Sequence, residues 1–297
     1  MYDICCIGHI THDKVVTTKS VVHMAGGTSF YFSNAIRNMD VRYTLVTALA
    51  RKEMHFVSDL RAKNIDVNAL PSTHTVHFEN IYSENMDHRT QRVPQTADPF
   101  TVEQLVDVQA RIFHLGPLLA HDIPVELIKD LASRGIVSLD VQGYLRKVEN
   151  ENVLAIDWTD KREALPYIDI LKANEFELEV LTGIKDVREG AKVLSDWGVK
   201  EVVITLGSQG SVLYRDGIFY DIPAYLPKSV EDATGCGDTY MAGYLYQRLQ
   251  GADLQEAGEF AAAMATLKIQ SSGPFTGTRE DVVKLAESGK KVMPVNI

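Results

Sequence analysis

Cysteine is scarce in this chain, which contains three among its 297 residues. Two of them, Cys5 and Cys6, are adjacent in a short apolar run near the start of the sequence. No cysteine spacing corresponds to a disulfide framework or to a zinc site, so a disulfide-rich or zinc-stabilised scaffold is not expected. Cysteine usage of this kind fits a reducing compartment, and we predict a cytoplasmic protein.

The sequence also lacks an excess of positive charge. Lysine and arginine together number 30, against 40 aspartate and glutamate residues, which gives a formal net charge of −10. Nucleic acids and anionic membranes select basic surfaces, so neither is expected as a partner. No apolar run is long enough to span a bilayer, and we expect no targeting segment. The composition favours a small-molecule partner.

A third absence concerns glycine after the first predicted strand. Residues 2–7 read as a buried strand, and Gly8 alone follows it, where a dinucleotide-binding fold needs the pattern G-x-G-x-x-G. An NAD-dependent dehydrogenase is therefore disfavoured.

Strand-like and helix-like segments alternate through most of the chain. This alternation requires right-handed crossovers and a parallel sheet that is covered on both faces. No linker or internal repeat interrupts it, so we expect one α/β domain over residues 1–297. The predicted strands are Tyr2–Ile7, Thr44–Leu49, Ile112–Leu115, Ile136–Val141, Ile168–Ala173 and Glu201–Leu206, and the predicted helices are Glu53–Lys63, Pro124–Ser133, Val187–Trp197, Leu254–Ile269 and Arg279–Ser288.

One segment has a different period. Polar and apolar residues alternate in Thr73–Arg92 on either side of a polar turn at Asn85–Asp87. This pattern is typical of a hairpin with one covered face and one wet face. The hairpin is expected to be either a lid over a pocket or an edge hairpin of the main sheet.

Residues 232–246, which read D-A-T-G-C-G-D-T-Y-M-A-G-Y-L-Y, are the most informative stretch. Gly235, Cys236 and Gly237 stand directly before Asp238, and an apolar-periodic run follows, which indicates a loop that leads into a helix. The first amides of a helix lack intrahelical partners and the helix dipole is positive there, so an anion can bind. Asp238 would then be a base beside a phosphate. The alternative is that it only caps the helix.

The string D-x-T-G-x-G-D, followed by an A-G pair, resembles the C-terminal signature of the ribokinase-like carbohydrate kinases, the PfkB family. The resemblance implies a three-layer α/β/α fold with a central, mostly parallel sheet and a small β lid, whose segments would lie at about residues 14–24 and 73–93. It implies ATP as the phosphoryl donor and Mg²⁺ as the cofactor. By the same resemblance, Asp238 would be the general base for the acceptor hydroxyl, and the amides of Gly235, Cys236 and Gly237 would form an anion hole.

The acceptor side is predicted from the loop after the first strand, H-I-T-H-D, which ends at Asp13. One carboxylate can accept hydrogen bonds from two neighbouring hydroxyls, as a polyol requires. His9 and His12 allow a metal site as an alternative, although no other residue with ligand spacing follows. The resemblance implies that Asp13, Gly27 and Asn34 bind the acceptor. The stretch G-G-T-S-F-Y-F-S-N is similar to that of the myo-inositol kinases of the family.

The donor side is predicted from two further strand ends. Asn174 and Glu177 lie one helical turn apart, so both side chains can face one pocket. They resemble the N-x-x-E motif of the family, in which the carboxylate orders Mg²⁺ through water. The stretch T-L-G-S-Q-G is similar to the segment that lies along the nucleotide. The implied nucleotide contacts are Asn174, Thr205, Gly207, Ser208 and Gly210.

The resemblance also implies a monovalent cation site, because Asp232 and Thr234 match its ligands in the family. The segment L-D-V-Q-G-Y-L-R, Leu139–Arg146, is similar to a stretch whose arginine meets the transferred phosphate, with a surface arginine as the alternative. Cys236, at a helix N-terminus, is expected to have a lowered pKa and to react readily if exposed.

We predict an ATP-dependent kinase of a small sugar or polyol, which pairs as a homodimer if its lid assembles as in relatives. Two other functions remain open: a nucleoside kinase of the same fold, and a nucleotide-binding regulator without activity.

Overall fold

A computed structural model of the chain describes residues 1–16, 20–82 and 89–292. In these residues the strands are β1 (Tyr2–Ile7), β2 (Thr11–Val16), β3 (Val21–Gly26), β4 (Tyr43–Leu49), β5 (Asp66–Pro71), β6 (Val76–Tyr82), β7 (Arg89–Gln95), β8 (Ala110–Leu115), β9 (Ile136–Asp140), β10 (Arg146–Glu149), β11 (Asn152–Ala155), β12 (Ile170–Asn174), β13 (Glu201–Thr205), β14 (Ser211–Arg215), β15 (Ile218–Ile222), β16 (Ala224–Tyr225) and β17 (Lys291–Val292). The α-helices are α1 (Thr28–Ile36), α2 (Met54–Ala62), α3 (Val125–Ala132), α4 (Lys161–Ala164), α5 (Glu175–Thr182), α6 (Val187–Asp196), α7 (Cys236–Leu249), α8 (Leu254–Lys268) and α9 (Arg279–Ser288).

The main sheet is mostly parallel. In the described part of the chain it has the order β15-β14-β13-β12-β9-β8-β1-β4-β5. All neighbours from β13 to β5 are parallel, and at the other edge β14 pairs antiparallel with both β13 and β15. The carboxyl ends of the parallel strands therefore meet at a single edge, where the loops of such sheets bind ligands.

Both faces of this sheet are covered, as the apolar runs in its strands indicated. Ile4 and Cys6 of β1 pack into one hydrophobic core with α1, α7 and α8, whereas Cys5 and Ile7 pack into a second core with α3, α5 and α6. The two adjacent cysteines thus point to opposite faces of one strand, because successive side chains alternate. The predicted three-layer α/β/α fold is confirmed.

A second sheet carries the predicted lid segments. Its order is β10-β11-β7-β6-β2-β3 within the described residues. The predicted hairpin is present as the antiparallel pair of β6 and β7, and it belongs to this sheet rather than to the edge of the main sheet. Its predicted turn at Asn85–Asp87 lies outside the described residues, as do residues 17–19 of the first lid segment. The sequence pattern missed the third part of the sheet, the hairpin Arg146–Ala155.

The predicted elements between residues 110 and 206 all occur, with ends shifted by one or two residues. Helix ends fray and strand ends depend on tertiary pairing, so shifts of this size are expected. None of the helices in the described ranges combines the length and the apolar character that a membrane span needs.

Candidate active site

The N-terminus of α7 lies where the sequence predicted an anion site. Gly235 precedes the helix with φ 77°, a conformation that favours glycine, and a Cβ on it would lie 2.2 Å from Cδ1 of Tyr31. The amides of Gly237 and Asp238 belong to the first helical turn and have no intrahelical acceptor by position. The amide of Cys236 instead donates to Ala233 O at 3.2 Å. An anion bound to all the predicted amides would have to displace that turn bond.

Asp238 lies in the first turn of α7, where the residue keeps some exposed surface but its carboxyl group is surrounded by protein. Burial raises the pKa of its carboxyl group to about 7, and the negative charge of Asp140 raises it further, while Lys172 and a hydrogen bond from Thr28 lower it. A carboxyl group with a pKa near 7 can hold or release a proton at neutral pH, which a general base requires.

Lys172 is a buried cation at the centre of this edge. It lies in the middle of β12, side by side with Asp140 at the end of β9, and its Nζ donates to Asp140 Oδ2 at 2.9 Å. Glu177 Oε2 lies 3.9 Å from the same Nζ. Burial alone would lower the pKa of Lys172, but the two carboxylates raise it, so the ammonium stays charged. A Cβ on Gly237 would lie 3.2 Å from Nζ, so this positive charge faces the start of α7.

Neither Lys172 nor Asp140 was assigned a role from the sequence. The available signal was a lysine two residues before the end of an otherwise apolar strand, I-L-K-A-N. Lysine is almost never fully buried unless it is paired, so its position implied a nearby carboxylate.

Asn174 and Glu177 form a capping box at the start of α5. Asn174 Oδ1 accepts from the amide of Glu177 at 2.8 Å, and Glu177 Oε2 accepts from the amide of Asn174 at 2.8 Å. The other carboxylate oxygen of Glu177 accepts from Gln142 Nε2 at 3.3 Å. The two side chains were predicted to face one pocket, and in the structure each accepts a hydrogen bond from the backbone amide of the other. This pairing holds the Glu177 carboxylate near Lys172 and Asp238.

Asp13 lies on β2 of the second sheet, opposite Met24 of β3. Its Oδ2 packs against Gly26, where an added Cβ would lie 2.2 Å away. Burial raises the pKa of the Tyr31 phenol, and the charges of Asp232, Asp13 and Asp238 raise it further. The carboxylates of Asp13 and Asp238 are thus both within electrostatic range of the Tyr31 phenol.

Gly27 and Asn34 have different surroundings. Gly27 is the residue before α1 and has φ 90°. It follows Gly26, the glycine against which the Asp13 carboxylate packs. Asn34 lies near the other end of α1, where its Nδ2 donates to Phe30 O at 2.9 Å and its Oδ1 accepts from Lys63 Nζ at 3.2 Å. Helical geometry thus turns the amide of Asn34 back onto its own helix and onto α2, and its predicted contact with the acceptor stays a prediction.

The loop after β13 holds the remaining predicted nucleotide contacts. Thr205 pairs with Asn174 across the sheet, and Gly207 has φ 57° with open space around it. Ser208 is exposed beside it. Gly210 is required for another reason, because a Cβ there would lie 2.0 Å from Ile222 O. Gly210 shapes the turn, and the open side of the loop lies at Gly207 and Ser208.

Asp232 and Thr234, the predicted ligands of a monovalent cation, lie in the loop before α7. The amide of Thr234 donates to Asp232 Oδ1 at 2.9 Å. The ammonium of Lys268 donates to the carbonyl oxygen of Asp232 at 2.8 Å and to its Oδ2 at 3.3 Å. The ammonium of Lys268 therefore binds Asp232, one of the two residues that the family resemblance implied as ligands of a monovalent cation from solution.

Cys236 contradicts the expectation of a reactive thiolate. Burial raises the pKa of its thiol to about 11, against the positive charge of Lys268, which lowers the pKa, while the charges of Asp232 and Asp238 raise it. The Sγ atom turns away from the crevice toward Ala265 O of α8, at 3.8 Å. The position at a helix N-terminus was read correctly, but packing between α7 and α8 decides the protonation of the thiol.

His9 and His12, considered as metal ligands, point to separate places. His9 is fully buried, with Nδ1 3.1 Å from Ala48 O and its ring stacked on Phe100. His12 lies on the second sheet against His23, at 3.1 Å between ring nitrogens. Among residues 1–16, 20–82 and 89–292, no group of three or more His, Cys, Asp or Glu side chains has the arrangement of a metal site.

A mostly parallel sheet with a second, smaller sheet, together with the matches to known proteins, places this chain among the phosphotransferases. It belongs to the pfkB family of carbohydrate kinases, whose family model matches residues 1–281. The family and the fold expected from the signature at residues 232–246 are thereby confirmed.

Three similar proteins show the range of the family. A structure of a pyrophosphate-dependent myo-inositol-1 kinase converted into a myo-inositol-3 kinase is 30% identical, with a TM-score of 0.85, and covers 96% of this chain and 98% of that one. The cytidine kinase of Thermococcus kodakarensis is 27% identical over an alignment 290 residues long, which covers 94% of this chain and 100% of that one. The Arabidopsis thaliana ribokinase with ribose and ATP is 22% identical, with a TM-score of 0.82 over 97% of this chain and 99% of that one, and shows the shared fold.

Proposed function

We propose that this protein transfers the terminal phosphoryl group of ATP to a hydroxyl of a small polyol, with Asp238 as the general base. The observation that carries the proposal is a carboxyl group with a pKa of about 7 in the first turn of α7, beside helix amides that lack intrahelical acceptors. An acceptor hydroxyl beside Asp238 can pass its proton to the carboxylate while the phosphoryl group is held by the amides.

The acceptor lies between the two sheets in this proposal. Asp13 projects from the second sheet and Gly27 starts α1, so a small polyol is bound by one carboxylate above and by the helix start below. The second sheet covers this space and excludes water, which would otherwise compete as the acceptor. Tyr31 supports the floor of the crevice through its packing on Gly235.

The donor lies along the carboxyl edge of the main sheet. Its terminal phosphate faces the amides of Gly235 and Gly237 and the ammonium of Lys172, and the remainder follows the open loop at Gly207 and Ser208. Phosphoryl transfer needs mainly positioning and neutralisation of spread negative charge, which these groups supply.

The carboxylates at this edge fit Mg²⁺ that arrives with the donor. Asp140, Glu177 and Asp238 surround a single ammonium, that of Lys172, so the cluster has an excess of negative charge. Mg²⁺ commonly binds through one or two carboxylates, waters and substrate phosphates rather than in a closed protein cage. Glu177 and Asp140 would hold its waters, and the ion would neutralise the phosphates.

Two other assignments rest on specific similarities. Pyrophosphate as the donor is supported by the structures at 30% identity, which are pyrophosphate-dependent kinases. A nucleoside as the acceptor is supported by the cytidine kinase, which aligns over its full length. The myo-inositol kinase structures and the G-G-T-S-F-Y-F-S-N stretch favour a cyclitol instead.

A matrix of donors and acceptors tests these assignments. Purified protein with Mg²⁺ is incubated with ATP or pyrophosphate and with myo-inositol, ribose, fructose or cytidine, and the phosphorylated acceptor is quantified by mass spectrometry. We expect the highest rate with ATP and myo-inositol. A higher rate with pyrophosphate or with cytidine would replace the donor or the acceptor in the proposal. Thermal stabilisation by ATP without product from any acceptor would favour a regulator.

The role of Asp13 is tested through its neighbour, by the substitution Gly26→Ala. The new methyl group meets side-chain atoms, Asp13 Oδ2 and Thr11 Oγ1, which can move, so the fold is expected to survive. Displacing the carboxylate removes charge-assisted hydrogen bonds to the acceptor, and we expect the acceptor KM to rise by about 10-fold or more. Initial-rate kinetics should show a much smaller change in the donor KM.

The matched comparison is a double-mutant cycle with Asp13→Asn. If Gly26→Ala acts by displacing Asp13, the two substitutions together should raise the acceptor KM little more than Asp13→Asn alone. Additive effects would mean that Gly26 contributes independently and that Asp13 is not the group it positions.

A further inference from the structure

Lys268 is fully buried, and it is the last residue of α8. Its ammonium donates to the carbonyl oxygen of Asp232 at 2.8 Å and to Asp232 Oδ2 at 3.3 Å, and it lies 6.0 Å from the ring centroid of Tyr31. A buried ammonium is costly unless oxygens or ring faces compensate for lost hydration. Both of these hydrogen bonds go to one residue, Asp232, which lies in the loop that leads to α7.

Asp232 connects this cation to two loops. Its Oδ1 accepts from the amide of Thr234 at 2.9 Å, and its Oδ2 accepts from the amide of Gly273 at 3.3 Å. Burial would raise the pKa of Asp232, but these bonds and Lys268 lower it overall, so the carboxylate is ionised at neutral pH. The Lys268 ammonium lies between the carboxylate and the carbonyl oxygen of Asp232, and its positive charge offsets the repulsion between these oxygens.

The same cation lies under the predicted anion hole. Gly235, three residues after Asp232, caps α7 and packs on the ring of Tyr31, the ring that the Lys268 ammonium also approaches. The positive charge of Lys268 acts on the thiol of Cys236 as well, which places it close to the first residue of α7. The position of the ammonium therefore affects the backbone that presents the amides.

We propose that the ammonium of Lys268 is a tethered monovalent cation, which fixes the Asp232–Gly235 loop in the shape that phosphate binding needs. Lys268 is a positioning residue and does not touch the substrate. The proposal rests on the proposed phosphoryl transfer for its kinetic consequence, and it predicts an enzyme that needs no dissolved potassium or ammonium.

Removal of the lysine side chain should create a site for such an ion. In Lys268→Ala the carbonyl oxygen and the carboxylate of Asp232 would face a space once filled by an ammonium group. Dissolved NH₄⁺ and K⁺ are similar in size to that group and carry the same charge, whereas tetramethylammonium is too large and cannot donate hydrogen bonds. Lys268→Met fills the space with an uncharged chain of similar length and serves as the matched control.

The experiment measures steady-state rates and thermal unfolding in chloride salts of tetramethylammonium, potassium and ammonium at equal ionic strength. We expect the unsubstituted protein to have the same kcat and donor KM in all three salts. In tetramethylammonium, Lys268→Ala should lose about 10²-fold in kcat over donor KM, the size of a small misplacement of positioning groups. Potassium or ammonium should restore at least about a tenth of the activity and raise the melting temperature of this variant alone.

Three outcomes would overturn the proposal. They are a requirement of the unsubstituted protein for potassium, full activity of folded Lys268→Ala in tetramethylammonium, and equal rescue of Lys268→Ala and Lys268→Met. If Lys268→Ala does not fold, the cation series on the unsubstituted protein still decides the first point. If the unsubstituted protein phosphorylates no acceptor, the proposed function fails instead, while the salt-specific melting temperature of Lys268→Ala still tests the ion site.

Discussion

Asp238→Asn is expected to lower turnover by ~10²–10⁴, the usual contribution of a general base. The amide is the same size as the carboxyl group and cannot accept the proton of the acceptor hydroxyl. The loss should fall on kcat, with the donor KM and the acceptor KM changed little. Initial-rate kinetics at pH 8 with the best donor and acceptor pair provide the measurement, and turnover near that of the unsubstituted protein would exclude Asp238 as the base.

Stability separates this loss from misfolding. Because the pKa of Asp238 is raised to about 7 in the folded protein, against an ordinary value near 4, ionising the carboxyl group opposes folding. This cost is absent below about pH 4 and fully present above about pH 7. Asp238→Asn removes it, so at pH 8 the variant should be more stable than the unsubstituted protein by about 1–4 kcal/mol in chemical denaturation. If Asp238→Asn were less stable than the unsubstituted protein at pH 8, its loss of turnover could not be separated from misfolding.

Lys172→Met is expected to affect both stability and the pH dependence of the reaction. The substitution leaves the buried Asp140 carboxylate without its cation, and breaking such a pair typically costs about 3–5 kcal/mol. Lys172 also lowers the pKa of Asp238, so its removal should raise that pKa further above 7. The rate of the unsubstituted protein should increase with pH through a midpoint near 7, and the midpoint of the variant should lie at a higher pH.

The double variant Lys172→Met with Asp140→Asn distinguishes the two roles of the lysine. Asp140 raises the pKa of Asp238 and Lys172 lowers it, so removing both should return the midpoint and the stability toward those of the unsubstituted protein. Turnover should remain low, because the variant lacks both the ammonium proposed to face the transferred phosphoryl group and a carboxylate proposed to hold the waters of Mg²⁺. Recovery of turnover together with stability would assign Lys172 a structural role only.

The sequence was sufficient where a function depends on backbone shape. The spacing of Gly235, Gly237 and Asp238 dictates a helix start with small residues and an acid in its first turn, and the structure has that geometry. The alternation of strands and helices likewise predicted the parallel sheet, because period and length report directly on burial. The motif at Asn174 and Glu177 was read as a pair facing a pocket, although its spacing is also that of a capping box.

The sequence was insufficient where a role depends on long-range packing. Asn34 was assigned to the acceptor by its resemblance to the asparagine that follows a glycine pair in the family, but its position along α1 carries it toward Lys63. The pKa of Cys236 is set by the contact of α7 with α8, which no local pattern encodes. Lys172 and Lys268 are recognisable in retrospect as single lysines in apolar segments, but their carboxylate partners lie 32 and 36 residues away in sequence.

The second sheet is assembled from three separated stretches, Thr11–Gly26, Val76–Gln95 and Arg146–Ala155. During synthesis on the ribosome its outermost hairpin therefore emerges only after half of the chain, and α7 with Asp238 emerges later still. If the proposed function is correct, a chain stopped between these points has the strands that cover the acceptor but not yet Asp238. The part of the site proposed to bind the acceptor would then fold first, and the proposed general base would be added last.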